Sequence, residues 1–228
     1  MIGQSVADDQ HPHILWRGDV PVATAFDDPY FSLDDGLAET RYVFLAGNGL
    51  PDGFRPGFRI AELGFGTGLN ALVAARAWAE SGQVGRLSFT SFERFPLTAA
   101  DMARALAVFP DLADLSRPLV EARERGETRI ALPFLDLTLV IGDARETLPL
   151  WDGAADAWFL DGFAPARNPE LWAPSLLAEV ARHTAPGGTA ATYTAAGAVR
   201  RALAEAGFVV ERRDGYGRKR HMTAARLA

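Results

Sequence analysis

The sequence contains no cysteine, and only four of its 228 residues are histidine. Without cysteine the chain cannot form disulfides, thiolate zinc sites or a cysteine nucleophile. The histidines are scattered, so we expect no catalytic metal site. Thiol chemistry is therefore excluded, and metal chemistry is not expected.

Long apolar runs are also missing. No stretch approaches the length needed to span a bilayer, and residues 1–13 are polar and lack the apolar core of a signal peptide. We therefore expect a cytoplasmic protein with no membrane contact. With 48% hydrophobic residues, a chain of 228 residues can form one well-packed domain plus an extension.

Lysine is nearly absent, since Lys219 is the only lysine among 23 basic residues. The net charge of −6 argues against non-specific nucleic-acid binding by the overall field. Basic residues nevertheless gather near the C-terminal end, where residues 200–201, 212–213 and 218–220 can form one positive face. Because arginine replaces lysine throughout, part of this clustering is compositional, and both interpretations stay open.

The sequence does contain a glycine-rich turn after a short apolar segment. Residues 59–63 predict a buried strand, glycines follow at positions 64, 66 and 68, and residues 69–78 predict a helix. This pattern is typical of the βα turn that receives a nucleoside-bearing cofactor in a doubly wound sheet. Side chains at Gly64 or Gly66 would collide with such a ligand, and at least one position is expected to need a positive φ.

The spacing of these glycines favours S-adenosylmethionine. A dinucleotide turn requires G-x-G-x-x-G, but the position of its last glycine is occupied by Leu69. Glu62 precedes the glycines, where a carboxylate would repel a pyrophosphate and attract the ammonium group of S-adenosylmethionine. A glycine-rich turn without a ligand is the alternative.

Strands and helices alternate through the rest of the chain, which predicts an α/β fold. We expect a Rossmann-like, doubly wound, mostly parallel sheet with an antiparallel edge strand. Residues 1–52 are expected to form an N-terminal extension, with a hairpin at 14–25, a loop and a helix at 33–45, and residues 53–228 the main domain. The expected strands are 59–63, 87–92, 128–132, 135–141, 156–160, 189–194, 208–212 and 221–226; the expected helices after the first are 97–109, 145–150, 169–183 and 198–205. Residues 186–188 are expected to form a turn.

Acidic residues follow three of the predicted strands, at the end where ligands bind in such sheets. Glu93 is placed to accept hydrogen bonds from ribose hydroxyls, or is a solvated acid. Asp143 faces the adenine, or caps the following helix. Asp161 faces the reaction centre, where it can hold an amine and take its proton. Phe163 and Pro165 would form an apolar wall that disfavours an ammonium ion.

Several segments resemble the methyltransferase domain of the tRNA 5-methylaminomethyl-2-thiouridine biosynthesis (MnmC) family. They are residues 31–40, 61–70, 91–97, 156–172 and 215–222, and the string W-F-L-D-G-F-A-P-A-R-N-P at 158–169 is the most specific. The resemblance implies methyl transfer from S-adenosylmethionine to the amine of 5-aminomethyl(-2-thio)uridine at the tRNA wobble position. A methyltransferase of a small-molecule amine and a non-catalytic cofactor- or RNA-binding module are the alternatives.

The resemblance also supports a set of site residues. We expect Asp161 to be catalytic and the cofactor to be bound by Glu62, Gly64, Phe65, Gly66, Gly68, Asn70, Glu93, Asp143 and Asp161. The substrate residues are expected to be Tyr30, Phe163, Pro165, Arg218, Lys219 and Arg220, the last three on the phosphates of the tRNA anticodon loop. Two-domain members of the family carry a flavin-dependent oxidase. Because this chain stops at Ala228, we expect the stand-alone form, without FAD, as a monomer.

Overall fold

The computed structural model describes residues 11–32 and 35–228. Its strands are, in chain order, β1 (Ile14–Arg17), β2 (Val20–Ala23), β3 (Asp28–Pro29), β4 (Arg59–Leu63), β5 (Leu87–Glu93), β6 (Arg129–Leu132), β7 (Leu135–Ile141), β8 (Ala155–Leu160), β9 (Thr184–Thr192), β10 (Phe208–Asp214) and β11 (His221–Leu227). Its α-helices are α1 (Gly36–Thr40), α2 (Leu69–Glu80), α3 (Ala99–Leu106), α4 (Ala113–Glu124), α5 (Ala144–Thr147), α6 (Pro174–Arg182) and α7 (Gly197–Glu205).

The main sheet confirms the predicted α/β fold. Its eight strands have the order β10-β11-β9-β8-β4-β5-β7-β6. The five strands from β9 to β7 are parallel, and β6 at one edge and β11 next to β9 run in the opposite direction. The outermost strand, β10, pairs antiparallel with β11 and so runs in the same direction as the five. Every residue of β8 is buried, as expected of a parallel strand covered on both faces. The carboxyl ends of the parallel strands therefore meet at one edge of the sheet.

The core is divided by this sheet into two clusters. Neighbouring residues of a strand face opposite sides, so Phe159 packs with Phe89 in one cluster and Trp158 packs with Phe92 in the other. The segment at 47–57, which is rich in glycine and proline, also packs onto the core. Its Phe54 ring lies 5.2 Å from that of Trp78.

Helix α4 was not predicted from the sequence. It contains Pro118, which lacks the N–H needed in a helix interior, and many of its residues are charged. Leu115, Leu119 and Ala122 nevertheless share one buried face. Tertiary packing of this face therefore outweighs the local cost of the proline.

The prediction of a turn at residues 186–188 is wrong. These residues lie within β9, which begins at Thr184. The pairing with β8 shifts there, because Ala155 pairs with Thr184 whereas Ala157 pairs with Thr189. The Pro-Gly-Gly sequence forms a bulge in a continuing strand.

The N-terminal region forms a separate three-stranded sheet. The hairpin predicted at 14–25 is confirmed as β1 and β2, and the following segment, predicted as a loop, adds the short strand β3. The helix predicted at 33–45 begins at Gly36 with Asp35 as its N-cap, and continues as a wider π-helical turn over Arg41–Leu45. Residues 33–34 lie outside the described part of the chain. No helix in the described residues is both long and apolar enough to cross a bilayer.

Candidate active site

A cavity of about 760 Å³ opens at the carboxyl ends of β4, β5, β7 and β8. The N-terminal sheet, the start of α1 and the loop between β10 and β11 complete its walls. Its size suits a nucleoside-sized ligand. It brings together most of the predicted site residues: Tyr30, Gly64, Phe65, Gly66, Asn70, Glu93, Asp143, Asp161, Phe163, Arg218 and Lys219. Glu62, Gly68, Pro165 and Arg220 are not among its lining residues.

The glycine turn after β4 requires glycine for backbone reasons. Gly64, Gly66 and Gly68 have φ values of 89°, 54° and 85°, in the left-handed region. A Cβ at Gly64 would lie 2.0 Å from the carbonyl oxygen of Asp161, so this glycine is required by the chain's own backbone and not by a ligand. At Gly66 a Cβ would lie 3.1 Å from the ring of Tyr30, on the cavity side.

Asn70, at the start of α2, links three polar side chains. Its Nδ2 donates to Oε1 of Glu62 at 2.8 Å and to Oδ2 of Asp161 at 2.6 Å. Its Oδ1 accepts a hydrogen bond from the hydroxyl of Thr40 at 3.0 Å. Because all these contacts are made by one buried amide, the position of Asp161 is fixed from behind.

Glu62 lies behind Asn70 and is fully buried. Its second oxygen, Oε2, accepts a hydrogen bond from Ser91 at 2.6 Å. Burial raises the pKa of Glu62 well above its ordinary value, against the hydrogen bonds from Ser91 and Asn70. The structure therefore does not place Glu62 where the sequence predicted it, on the cavity wall, and connects it to the cavity through Asn70.

Asp161 lies on the cavity wall at the end of β8. Burial raises its pKa to about 7. The hydrogen bond from Asn70 and the charge of Lys219 act to lower this pKa, whereas the charges of Glu39 and Asp28 act to raise it. A carboxyl group with a pKa near neutrality is suited to exchange a proton with a substrate.

Lys219 points toward this carboxylate region. Its Nζ lies 2.8 Å from Oε1 of Glu39 and 3.8 Å from the ring centroid of Tyr193. The hydroxyl of Tyr193 donates to the carbonyl of Gly162 at 2.8 Å, next to Asp161. A cation stacked on an aromatic face and paired with a carboxylate is held in one position. Lys219 is thus a wall residue of the cavity.

Glu93 closes the glycine turn from the next strand. Its Oε2 accepts from the backbone N–H of Gly66 at 3.0 Å, and its Oε1 accepts from that of Phe95 at 2.7 Å. Burial raises its pKa, and these backbone hydrogen bonds act in the opposite direction. Each carboxylate oxygen keeps a second lone pair for a ligand hydroxyl.

Asp143 has the capping geometry that was one of the two predictions for it. Its Oδ1 accepts from the backbone N–H of Arg145 at 3.0 Å. Its Oδ2 forms ion pairs with Arg94 at 3.0 Å and Arg145 at 2.6 Å. The hydrogen bond from the Arg145 side chain acts to lower the pKa of Asp143. Because Asp143 also lines the cavity, contact with an adenine stays a prediction.

Three aromatic rings form an apolar wall of the cavity, and one of them, Tyr30, lies beside Gly66. The Phe163 ring stacks on that of Phe26, with centroids 4.6 Å apart, and meets the edge of Tyr30 at 5.2 Å. Pro165, predicted to belong to this wall, is not among the residues that line the cavity. The β8 loop turns Phe163 inward, and Pro165 follows beyond the wall.

The N-terminal region fixes the loop that carries Phe163. Asp28 Oδ2 accepts a hydrogen bond from the backbone N–H of Ala164 at 2.8 Å. Arg167 forms an ion pair with Asp27 at 3.1 Å and donates to the backbone carbonyl of Phe26 at 3.1 Å. Hydrogen bonds and an ion pair from the N-terminal region therefore hold the loop after β8 in place.

The basic segment after β10 is divided between the cavity and the surface. Arg218 and Lys219 line the cavity, whereas Arg220 is exposed and does not. Among the residues that the structure describes, no group of three or more His, Asp or Glu side chains is placed to hold a metal ion.

Sequence reasoning missed several wall residues: Phe26, Asp28, Glu39, Thr40 and Tyr193. They come from the N-terminal region and from the segment after β9. For Glu39 and Thr40 the only signal in the sequence was their position within residues 31–40, one of the segments that resemble a known family, whereas Phe26, Asp28 and Tyr193 lie outside those segments.

Comparisons with known proteins show which family and fold this chain resembles. A family model described as S-adenosyl-L-methionine-dependent methyltransferase matches residues 112–228. The tRNA 5-methylaminomethyl-2-thiouridine biosynthesis bifunctional protein MnmC of Pseudomonas paraeruginosa is 48% identical over 229 residues, covering 95% of this chain and 35% of that protein. The protein of the same name from Caulobacter vibrioides is 48% identical over 221 residues, covering 93% of this chain and 37% of that protein. This chain spans about a third of the length of these relatives.

Two solved structures share the fold. The crystal structure of MNMC2 from Aquifex aeolicus has a TM-score of 0.76 and 27% identity, and the match covers 96% of this chain and 72% of that one. A methyltransferase from Pyrococcus furiosus has a TM-score of 0.52 and 18% identity, over 85% of this chain and 84% of that one, and supports the fold alone.

Proposed function

Because the chain belongs to the family of S-adenosyl-L-methionine-dependent methyltransferases, we propose that it methylates the amine of 5-aminomethyl(-2-thio)uridine at the tRNA wobble position. The observation that carries this proposal is the 48% identity, over 95% of this chain, to a protein named for the biosynthesis of 5-methylaminomethyl-2-thiouridine. That product differs from the proposed substrate by one methyl group on nitrogen, which is what a methyltransferase adds.

The cavity fits the cofactor. The turn of Gly64 and Gly66 presents no side chains, and the carboxylates of Glu93, Asp143 and Asp161 face the same space. We assign Glu93 to the ribose hydroxyls and Asp143 to the adenine amine, with Asn70 and Asp161 on the amino-acid end. Glu62 contributes by orienting the amide of Asn70. These acidic partners suit a cationic sulfonium ligand better than a pyrophosphate.

S-adenosylmethionine, when bound, supplies a methyl group whose bond electrons remain on sulfur after transfer. The protein must present the substrate amine in its neutral form, because an ammonium ion has no lone pair. For an ordinary alkylamine with a pKa of roughly 10, deprotonation at pH 7 costs about 4 kcal/mol. Asp161 accepts the hydrogen bond of the amine and then takes its surplus proton. The other residues position the amine and exclude water.

Lys219 supports this step by charge. Its ammonium group favours the carboxylate form of Asp161 and, by repulsion, the neutral form of a nearby amine. Glu39 and Tyr193 hold it in place. This role replaces the phosphate contact that the sequence predicted for Lys219, while Arg218 and Arg220 remain candidates for tRNA phosphates.

The aromatic wall suits the uracil ring. Single-stranded RNA bases are commonly splayed out and stacked on aromatic side chains. Phe163, Tyr30 and Phe26 supply such a surface on the cavity wall. A wobble base extruded from the anticodon loop can therefore occupy the space between this wall and Asp161.

The test uses radiolabelled S-adenosylmethionine with an anticodon stem-loop RNA that carries 5-aminomethyluridine. We expect label in 5-methylaminomethyluridine after nuclease digestion, and none with the same RNA carrying uridine. The Asp161→Asn variant should bind the cofactor but slow single-turnover methylation by about 10²- to 10⁴-fold. Label in a free amine and not in RNA would indicate a small-molecule enzyme, and cofactor binding without transfer would indicate a non-catalytic module.

A further inference from the structure

Two segments that are far apart in sequence form one side of the cavity mouth. The Glu39 carboxylate binds Lys219 at 2.8 Å, and the hydroxyl of Tyr42 donates to the backbone carbonyl of Asp214 at 3.1 Å. The rings of Tyr42 and Tyr216 lie 5.7 Å apart and are tilted by 44°. The π-helical turn after α1 is thereby joined to the loop between β10 and β11.

Tyr42 lies on the outer side of this junction. Tyr216 and Glu39 line the cavity, whereas Tyr42 does not and is 40% exposed. A single exposed aromatic residue is ordinary on protein surfaces. This one differs because its ring rests on a cavity-lining ring and its hydroxyl is fixed, so its orientation at the mouth is set before any ligand arrives.

Exposed arginines lie next to these tyrosines in the chain. Arg41 precedes Tyr42 in the chain, and Arg218 and Arg220 follow Tyr216. A ring beside cationic side chains is the combination with which proteins bind single-stranded nucleic acid, because bases stack on the ring and phosphates pair with the cations. Base stacking tolerates any sequence, since every base has a π face.

We propose that Tyr42, supported by Tyr216, is a stacking platform for the nucleotide adjacent to the uridine that enters the cavity. This inference rests on the proposed function. Extruding the wobble base leaves its neighbour without a stacking partner, and the ring of Tyr42 at the mouth replaces that partner. The exposed arginines near these tyrosines in the chain add positive charge for the phosphates of the same strand.

The test measures equilibrium binding of the anticodon stem-loop RNA with 5-aminomethyluridine to the full chain, over a range of salt concentrations. Tyr42→Ala should weaken binding about tenfold, the effect of losing one base–aromatic stack. The slope of log affinity against log salt should stay the same, because no phosphate contact is lost. Tyr42→Phe keeps the ring and should bind like the parent.

The matched control is Phe134→Ala, which removes an exposed ring from the β6–β7 turn at the opposite end of the sheet and should not change binding. Calorimetric titration with S-adenosylmethionine verifies that each variant is folded. Parent-like binding by Tyr42→Ala would overturn the platform. So would an equal loss in Tyr42→Phe, because the bond to Asp214 would then be what matters. If the parent methylates no RNA at all, the proposed function itself is wrong, and the stacking role of Tyr42, which rests on it, is wrong too.

Discussion

Replacing Asp161 by asparagine should make the protein more stable above neutral pH. The pKa of this carboxyl group is about 7 in the folded protein, against 3.8 for an ordinary aspartate. As the pH rises from about 4 to 7, the unfolded chain releases this proton while the folded chain retains it. The parent therefore loses stability across this interval, and Asp161→Asn does not carry that loss.

The size of the effect follows from the shift. A rise from 3.8 to about 7 is roughly three units, and at about 1.4 kcal/mol per unit it corresponds to about 4 kcal/mol if fully realised. Solvent reaches Asp161 through the cavity, and the variant also loses attraction to Lys219. We therefore expect a gain of about 1 to 2 kcal/mol at pH 8, and a difference near zero at pH 4.

The assay is urea denaturation followed by tryptophan fluorescence at several pH values. The difference in the free energy of unfolding between Asp161→Asn and the parent should grow between about pH 4 and 7 and then level off. Asp161→Ser also removes the carboxyl group and should show the same pH dependence with a different offset. A difference that is independent of pH would refute the reasoning, because Asp161 would then titrate alike in both states.

Three further predictions concern the turn and the cavity wall. Gly64→Ala should lower the melting temperature far more than Gly57→Ala. Both glycines have a positive φ, but a Cβ at Gly64 would lie 2.0 Å from the Asp161 carbonyl oxygen, whereas a Cβ at Gly57 would meet no atom within 4 Å. Equal decreases in melting temperature would contradict this. Gly66→Val strains a left-handed position, so it should be less stable than the parent but still fold, and it should lose affinity for S-adenosylmethionine in calorimetric titration. Undiminished affinity in the folded variant would exclude this turn from the cofactor site. Lys219→Met should move the acidic limb of the pH–rate profile upward by about one pH unit while Lys219→Arg leaves it in place, since a nearby cation favours the ionised carboxylate; a fixed limb would show that this charge does not reach Asp161.

The sequence was sufficient for the parts of the site that depend on local pattern. A strand, alternate glycines and a helix specify the turn at Gly64, and acids after successive parallel strands must converge because those strands end at one edge. The same rule predicts Glu93, Asp143 and Asp161 at the ligand-binding edge of the sheet, and all three line the cavity.

The contacts that could not be predicted from the sequence join residues that are distant along the chain. Thr40 reaches Asn70, and Lys219 reaches Glu39 across nearly the whole chain. No periodicity encodes such pairs, so the basic tail and its family resemblance predict a phosphate contact for Lys219 and give no sign of its pairing with Glu39. The sequence predicts that Glu62 contacts the ligand, since nothing in the surrounding sequence indicates that Asn70 lies between Glu62 and the cavity.

The Glu39–Lys219 pair has a practical consequence for labelling. Lys219 is the only lysine in the sequence, so it and the terminal amine are the primary amines open to amine-directed reagents. Acylating dyes, surface-coupling reagents and lysine cross-linkers would therefore modify a residue of the cavity wall and neutralise the positive charge near Asp161. Reductive methylation with a carbon-13 reagent keeps that charge. It places one carbon-13 label for NMR spectroscopy on the cavity wall without any mutation.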